Sequence, residues 1–254
     1  MKITLITATY NSYPAIAEAI NSLSKSNGIE LEYLVIDGGS KDQTMEAVNA
    51  SGLVTHCVSE PDKGIYDALN KGIRMATGDI IGFLHSDDLL ASPQTLNNIV
   101  AAFSVNGINS ERVDGVYGDL VYVNKENTKK VIRYWASSLF KSNLLNRGWM
   151  PAHPSLFMRR EVYEKHGLFD LQFKISADYD LMLRVFKDKS LNFVYLPEVI
   201  TKMRVGGLSN GTIKNIVQKS REDFRAMKKN QIPFPLWVLL LKNFSKIPQY
   251  LRRQ

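Results

Sequence analysis

The sequence predicts an α/β protein: a doubly wound, mostly parallel sheet carrying a basic helical C-terminal extension. Three observations lead there. β-rich runs begin at Lys2, Leu31, Val54 and Asp79, 23 to 29 residues apart, which is the length of a strand plus a crossover helix. Apolar residues at helical spacing fill the intervals. The charge is also split along the chain, with 20 Lys/Arg against 23 Asp/Glu in residues 1–199 and 12 against 2 in residues 200–254.

In order, Lys2–Thr7 reads as a strand and Pro14–Ser24 as a helix, with Ile16, Ala19, Ile20 and Leu23 on one face and Pro14 suited to the first turn. Strand Leu31–Asp37 ends in Gly38-Gly39-Ser40, and a helix follows over Gln43–Ala50. Strand Val54–Ser59, a loop at Glu60–Lys63, helix Tyr66–Ala76 closed by Gly78 and strand Asp79–Leu84 complete a first half, residues 1–92. Ligands of such sheets sit at the carboxyl ends of the strands. Thr9-Tyr10-Asn11, Asp37-Gly38-Gly39-Ser40, Glu60-Pro61 and Ser86-Asp87-Asp88 are therefore expected along one rim.

A second half, residues 93–205, is less regular. It reads as helix Pro93–Ser104, strands Gly115–Val123 and Lys130–Trp135, a loop-rich stretch to Pro154, strand Ser155–Met158, helices Arg160–His166 and Asp178–Phe186, and strands Asn192–Leu196 and Val199–Val205. Gly206-Gly207 with Ser209-Asn210-Gly211 suggests a hinge. Beyond it lies the extension, residues 206–254, with a basic helix at Ile213–Lys229 and a second helical stretch at Pro235–Arg253.

With 254 residues, 44% apolar and 22% charged, the chain can bury one good core and is not a disordered or low-complexity segment. The single cysteine, Cys57, excludes an internal disulfide and an all-cysteine zinc cage. Met1 to Ile6 run straight into a strand with no leader pattern, so a cytoplasmic setting is expected. The uncharged stretch Asn230–Leu241 is 12 residues with two prolines, short of the ~20 a spanning helix needs.

No strand followed by GxGxxG and no GxxxxGK[ST] occurs, so neither a dinucleotide fingerprint nor a P-loop is present. A sheet that handles a pyrophosphate without such loops can hold a divalent cation on acidic residues. Mg²⁺ or Mn²⁺ takes one or two carboxylates and leaves its other positions to water and phosphate oxygens. Asp87-Asp88 fits that use, and equally fits a turn followed by a helix cap.

Taken together and in this order, ITLITATYNS, VIDGGSKDQT, EPDKGIYDALNKGI, ATGDIIGFLHSDDLL, HPSLFMRREVYEKHGLFD and SADYDLMLRV resemble the family 2 glycosyltransferases, which have the GT-A fold. The resemblance covers about residues 1–205 and joins the two halves into one catalytic domain. GIYDALNKGI and HPS are similar to bacterial enzymes that build exopolysaccharide, capsule or lipopolysaccharide repeat units.

That resemblance implies a nucleoside-diphosphate-sugar donor, UDP-linked rather than GDP-linked, and a saccharide acceptor on a polyprenyl-diphosphate carrier. It implies that Asp37 hydrogen-bonds the nucleobase, beside Gly38, although an Asp before two glycines also suits a turn. By the same resemblance Thr9 and Tyr10 belong to the loop along the nucleoside, while Thr7, Asn11, Glu60, Lys63, Gly64, Asp67, Asn70 and Ser86 complete the nucleotide-sugar site. For Tyr66 and Leu69 a helix-core role is expected. Asp87 and Asp88 would hold Mg²⁺ or Mn²⁺, with His85 standing where many members carry a first carboxylate. Asp178 matches the catalytic base of an inverting displacement, with Ala177 in place of a common acidic partner. His153 and Asp180 are assigned to the acceptor or diphosphate, or else to a turn and a helix N-terminus. His85 and Ala177 also admit a second reading, a sugar-nucleotide-binding protein that turns nothing over. A sugar nucleotidyltransferase would need a glycine-rich basic N-terminal loop, which is absent here.

The extension points at an anionic partner. Trp237, Leu240, Leu241, Phe244, Ile247 and Leu251 project on one helical face, with Lys242, Lys246, Gln249 and Arg253 opposite and Pro248 expected to end or kink the helix. That pattern predicts peripheral association with an anionic membrane surface, at the inner face of the cytoplasmic membrane, and competes with a helix packed on the core under solvated lysines. Nucleic acid is not an expected partner, because the ordered acidic rim would then have no role.

Overall fold

The computed structural model describes residues 1–23, 28–104, 112–206, 213–245 and 249. The elements are β1 (Lys2–Thr9), α1 (Ala15–Leu23), β2 (Glu30–Asp37), α2 (Thr44–Ala50), β3 (His56–Ser59), α3 (Ile65–Met75), β4 (Ile80–Phe83), β5 (Leu89–Leu90), α4 (Thr95–Ser104), β6 (Gly115–Val123), β7 (Val131–Trp135), β8 (Leu156–Arg159), α5 (Arg160–His166), α6 (Ala177–Phe186), β9 (Phe193–Arg204), α7 (Ile213–Lys229) and α8 (Pro235–Phe244). Two 3₁₀ turns, Ser142–Arg147 and His153–Ser155, lie in the stretch expected to be loop.

One sheet runs β3-β2-β1-β4-β8-β6-β9-β5, with β7 also paired to β6. β1, β2, β3 and β4 are parallel, and their registers put Thr9, Asp37 and Ser59 side by side at one rim. β8 pairs antiparallel with both β4 and β6 and so joins the two halves of the chain. Alternate residues of the central strands feed two apolar layers, as a sheet covered on both faces requires. Ile6, Leu34 and Ile36 face α3 and α6, while Leu5, Tyr33 and Val35 face α1, α2 and α4.

Three elements differ from expectation. The sequence pattern does not predict the two-residue strand β5, which pairs with β9. The separate strands Asn192–Leu196 and Val199–Val205 are one strand, β9, whose ladder with β6 shifts register around Asp119. Pro197 has no N–H to give a ladder, so the strand slips there rather than ending. α8 stops at Phe244, and Lys246, Ile247, Pro248, Leu251 and Arg253 lie outside the described residues, as do Gly207 and Ser209-Asn210-Gly211 of the expected hinge. α7 and α8 pack on the core: Ala226, Met227, Ile232 and Val238 share the apolar layer of Tyr179, Leu183 and Phe186 on α6.

Candidate active site

A cleft of about 1590 Å³ opens over the carboxyl ends of the parallel strands. Of the residues singled out from sequence, Thr9, Tyr10, Asn11, Gly38, Gly64, Ser86, Asp87, His153 and Asp178 line it. Tyr10 is 62% exposed, an aromatic ring free to take a flat partner. Gly38 gives that ring its place: a Cβ there would lie 3.3 Å from the Tyr10 ring and 3.0 Å from the Asp62 carboxylate.

His85, Tyr66, Leu69 and Lys242 line it too, whereas Thr7, Asp37, Glu60, Lys63, Asp67, Asn70, Asp88 and Asp180 are not lining residues. Asp37 is fully buried, and its Oδ2 accepts from Gly39 N (3.1 Å), Ser40 N (3.0 Å) and Ser59 Oγ (2.6 Å), so the carboxylate holds the turn that carries Gly38. The Thr7 hydroxyl bonds Leu84 O and Tyr33 Oη inside the sheet. Lys63 N donates to Asp67 Oδ2 (3.0 Å) and closes the entry to α3, while Glu60 pairs with Lys71 (2.8 Å). Asn70 makes a two-point clamp, donating to Phe169 O and accepting from Phe169 N, both at 2.9 Å. Asp180 is buried with Arg184 and Asn230, under Lys229.

Asp178 opens α6 from a loop that α7 holds. Glu222 Oε2 accepts from Ile175 N (2.8 Å) and Ser176 N (3.0 Å), a cap supplied from 46 residues downstream and invisible to local spacing. Asp178 Oδ1 accepts from Tyr179 N (2.8 Å) and lies 3.1 Å from Tyr66 Oη, which also reaches Ile175 O (2.7 Å). Both of these bonds use Oδ1, on a residue that lines the cleft. Burial raises the Asp178 carboxyl above its ordinary value, with Lys219 and Lys242 opposing. That is how a carboxylate is made into a base. Tyr66 packs against the apolar layer of Ala68 and Leu69, as expected of a core residue, and also lines the cleft.

Across the cleft, Asp87 is half-buried and lines the opening, while Asp88 is fully buried, neither of its oxygens paired among the described residues. Burial, then Asp87, push the Asp88 carboxyl well above the carboxylate range. The loop is braced by Arg204, whose Nη1 donates to Asp87 O (2.9 Å) and whose Nη2 bonds Glu18. His85 and His153 lie with ring centroids 5.9 Å apart, and His153 packs on Phe83 and Phe169. Burial lowers both, His153 to about 3 with His85 adding to it, so both are neutral imidazoles. His85 Nδ1 and His153 Nε2 have no partner among the described residues. Nowhere among the described residues do three His, Cys, Asp or Glu side chains converge as a cage. One carboxylate at a cleft that leaves room for phosphate oxygens and water nonetheless fits Mg²⁺ or Mn²⁺, which need no all-protein cage.

The sequence matches the family described as Glycosyl transferase family 2 over residues 4–167. It is 27% identical over 256 residues to a PGL/p-HBAD biosynthesis glycosyltransferase of Mycobacterium bovis (strain BCG / Pasteur 1173P2), covering 96% of this chain and 91% of that protein. Among solved structures, a mannosyltransferase from Pyrobaculum calidifontis in complex with GDP-Man and Mn²⁺ superposes with a TM-score of 0.66 at 20% identity, covering 98% of this chain and 72% of that one. The glucosyl-3-phosphoglycerate synthase from Mycobacterium tuberculosis, in complex with Mn²⁺, UDP and glucosyl-3-phosphoglycerate, gives a TM-score of 0.63 at 20% identity over 91% of this chain and 81% of that one.

Proposed function

The chain belongs to glycosyl transferase family 2 and has the GT-A fold, and from that premise we propose that it is an inverting enzyme transferring a sugar from a UDP-sugar to a lipid-linked saccharide acceptor in surface polysaccharide assembly. One observation carries the reading: Asp87, from the first half, and Asp178, from the second, line one cleft. In this reading donor and acceptor meet between them.

In this mechanism the Tyr10 ring packs on the base, and the turn held by Asp37 carries Gly38 beneath it. Asp178 Oδ2 takes the proton of the acceptor hydroxyl as its oxygen attacks the anomeric carbon, while Oδ1 stays held by Tyr179 N and Tyr66. Asp87 is the ligand that would hold the cation at the cleft, with Asp88 beneath it. A bound Mg²⁺ or Mn²⁺ supplies counter-charge for the departing diphosphate. No covalent sugar–enzyme bond is needed.

The membrane part of the reading rests on α8. Phe234, Leu236, Trp237, Leu240 and Phe244 are 81, 67, 61, 51 and 64% exposed, and Lys214, Arg221, Arg225 and Lys228 of α7 are exposed nearby in sequence. An exposed apolar helix face that follows a helix with exposed cations suits an anionic bilayer, where each engaged Lys or Arg adds about 1 kcal/mol. No helix of the described residues is long and apolar enough to cross a membrane.

The test is a panel of UDP- and GDP-sugars scored by nucleotide release with a lipid-linked acceptor extract, alongside UDP calorimetry with and without Mn²⁺. Turnover with a UDP-sugar is expected, together with metal-dependent UDP binding weakened in Asp87→Ala and Asp88→Ala. UDP binding that ignores the metal removes the cation from the mechanism, and binding without turnover across the panel leaves a non-catalytic sensor.

A further inference from the structure

Lys242 sits where α8 meets the cleft. It is 3% exposed although it lies opposite the solvent-facing apolar side of its own helix. Gly148 makes the seat: it closes the first 3₁₀ turn in left-handed backbone (φ 73°), and a Cβ there would stand 2.5 Å from Lys242 Cβ. From this seat the Lys242 ammonium donates to Asp223 Oδ2 at 2.8 Å and lies 3.1 Å from the centre of the Tyr179 ring, next in sequence to Asp178. Lys242, Asp223 and Asp178 all line the cleft.

We infer that Lys242 is a positioning residue for the catalytic base: paired with Asp223, it fixes the charge beside Asp178 and makes α8 a wall of the reaction site. The inference rests on the reading of Asp178 as the base. The titratable and charged groups that interact with Asp178 are Tyr66 from α3, His85 beyond β4, Lys219 and Asp223 from α7, and Lys242 from α8, while Glu222 of α7 acts on Tyr66 and holds Ile175 N and Ser176 N. The two lysines favour the carboxylate and Asp223 disfavours it. Lys242 therefore acts twice, directly as a cation and indirectly by neutralising Asp223. Burial alone would raise Asp223, and Lys242 with Lys219 hold it below its ordinary value. Burial likewise brings Lys242 down to about 8, so the pair stays ionised at neutral pH. Without Lys242, Asp223 would lose its ion-pair partner and keep only the weaker pull of Lys219, and Asp178 would hold its proton more tightly. Without Asp223 the two lysines, unopposed, would loosen it.

The experiment is a ¹³C carboxyl titration of the full-length protein, the Asp178 resonance assigned by its absence in Asp178→Asn, for wild type, Lys242→Met, Asp223→Asn and the double variant. The pH profile of kcat/KM is recorded for the best donor of the sugar-nucleotide panel. The Asp178 midpoint and the acid limb are expected to move up by about half a pH unit or more in Lys242→Met, down in Asp223→Asn, and back toward wild type in the double variant. Midpoints that coincide in all four proteins, or move with one sign, overturn the inference even if activity falls, since a packing role alone does not move them in opposite directions. If Lys242→Met does not fold, Asp223→Asn and the double variant decide, and an unmoved midpoint in Asp223→Asn overturns it. Retained turnover in Asp178→Asn fails the base reading itself, whereas lost turnover with unmoved midpoints fails this inference alone.

Discussion

Arg204 donates to the main-chain carbonyl of Asp87 at 2.9 Å across 117 residues of sequence, so the end of β9 holds the loop that presents the cleft carboxylate. Arg204→Met should leave that carbonyl without its donor and cost roughly 1–3 kcal/mol of unfolding free energy. UDP affinity in the presence of Mn²⁺ should fall about tenfold while acceptor affinity holds. Denaturant unfolding and calorimetry check both, and unchanged UDP affinity would separate the brace from donor binding.

Asp178→Asn should keep donor binding and lose turnover by roughly 10²-fold or more, as removal of a general base does. A base works ionised, so kcat/KM should rise with pH through the Asp178 midpoint. Burial raises that midpoint, and the acid limb should therefore lie above the ordinary aspartate value of about 4. An acid limb at or below that value would move the base elsewhere.

Tyr66→Phe removes the hydroxyl that reaches Ile175 O and Asp178 Oδ1. Stability should fall by about 1 kcal/mol, the worth of an ordinary hydrogen bond, and kcat should fall more than KM rises. Steady-state kinetics beside thermal unfolding tell the two effects apart. A KM effect alone would make Tyr66 a binding residue.

For membrane docking the decisive variants are on the outward face of α8. Trp237→Ser, Leu240→Ser and Phe244→Ser together should abolish co-sedimentation with phosphatidylglycerol vesicles while hydrolysis of the donor continues. High salt should release the wild type, because the charge attraction is screened within a Debye length of about 10 Å at 0.1 M. Vesicle binding that survives all three changes would place the contact on another surface.

The donor half is readable from sequence because buried parallel strands show as apolar runs that end in turn residues, as Leu31–Asp37 does before Gly38. The rim follows from that, and Thr9, Asp37 and Ser59 do stand level. Periodicity cannot tell which side of α8 faces in. A helix with one apolar side is expected to bury it, yet here Val238 and Lys242 are buried and Trp237 is not. Val238 packs in the apolar layer on that side, and Lys242 finds its partner in Asp223, one helix away. Tyr66 has the spacing of a core residue on α3, and the bonds that bring it to the cleft join partners 109 and 112 positions apart. Glu222 is hidden for the same reason: a helix cap delivered from another helix leaves no local signature.

The Asn70–Phe169 clamp reaches further than its two hydrogen bonds. Together with the Tyr66–Phe169 ring contact at 5.3 Å and the Tyr66–Ile175 bond, it ties α3 to the segment leading into Asp178 at three points. If Asp178 is the base, its helix entry is seated against α3 like a jaw against its anvil, and the ordering entropy of bringing the two together is spent when the chain folds, before any substrate arrives.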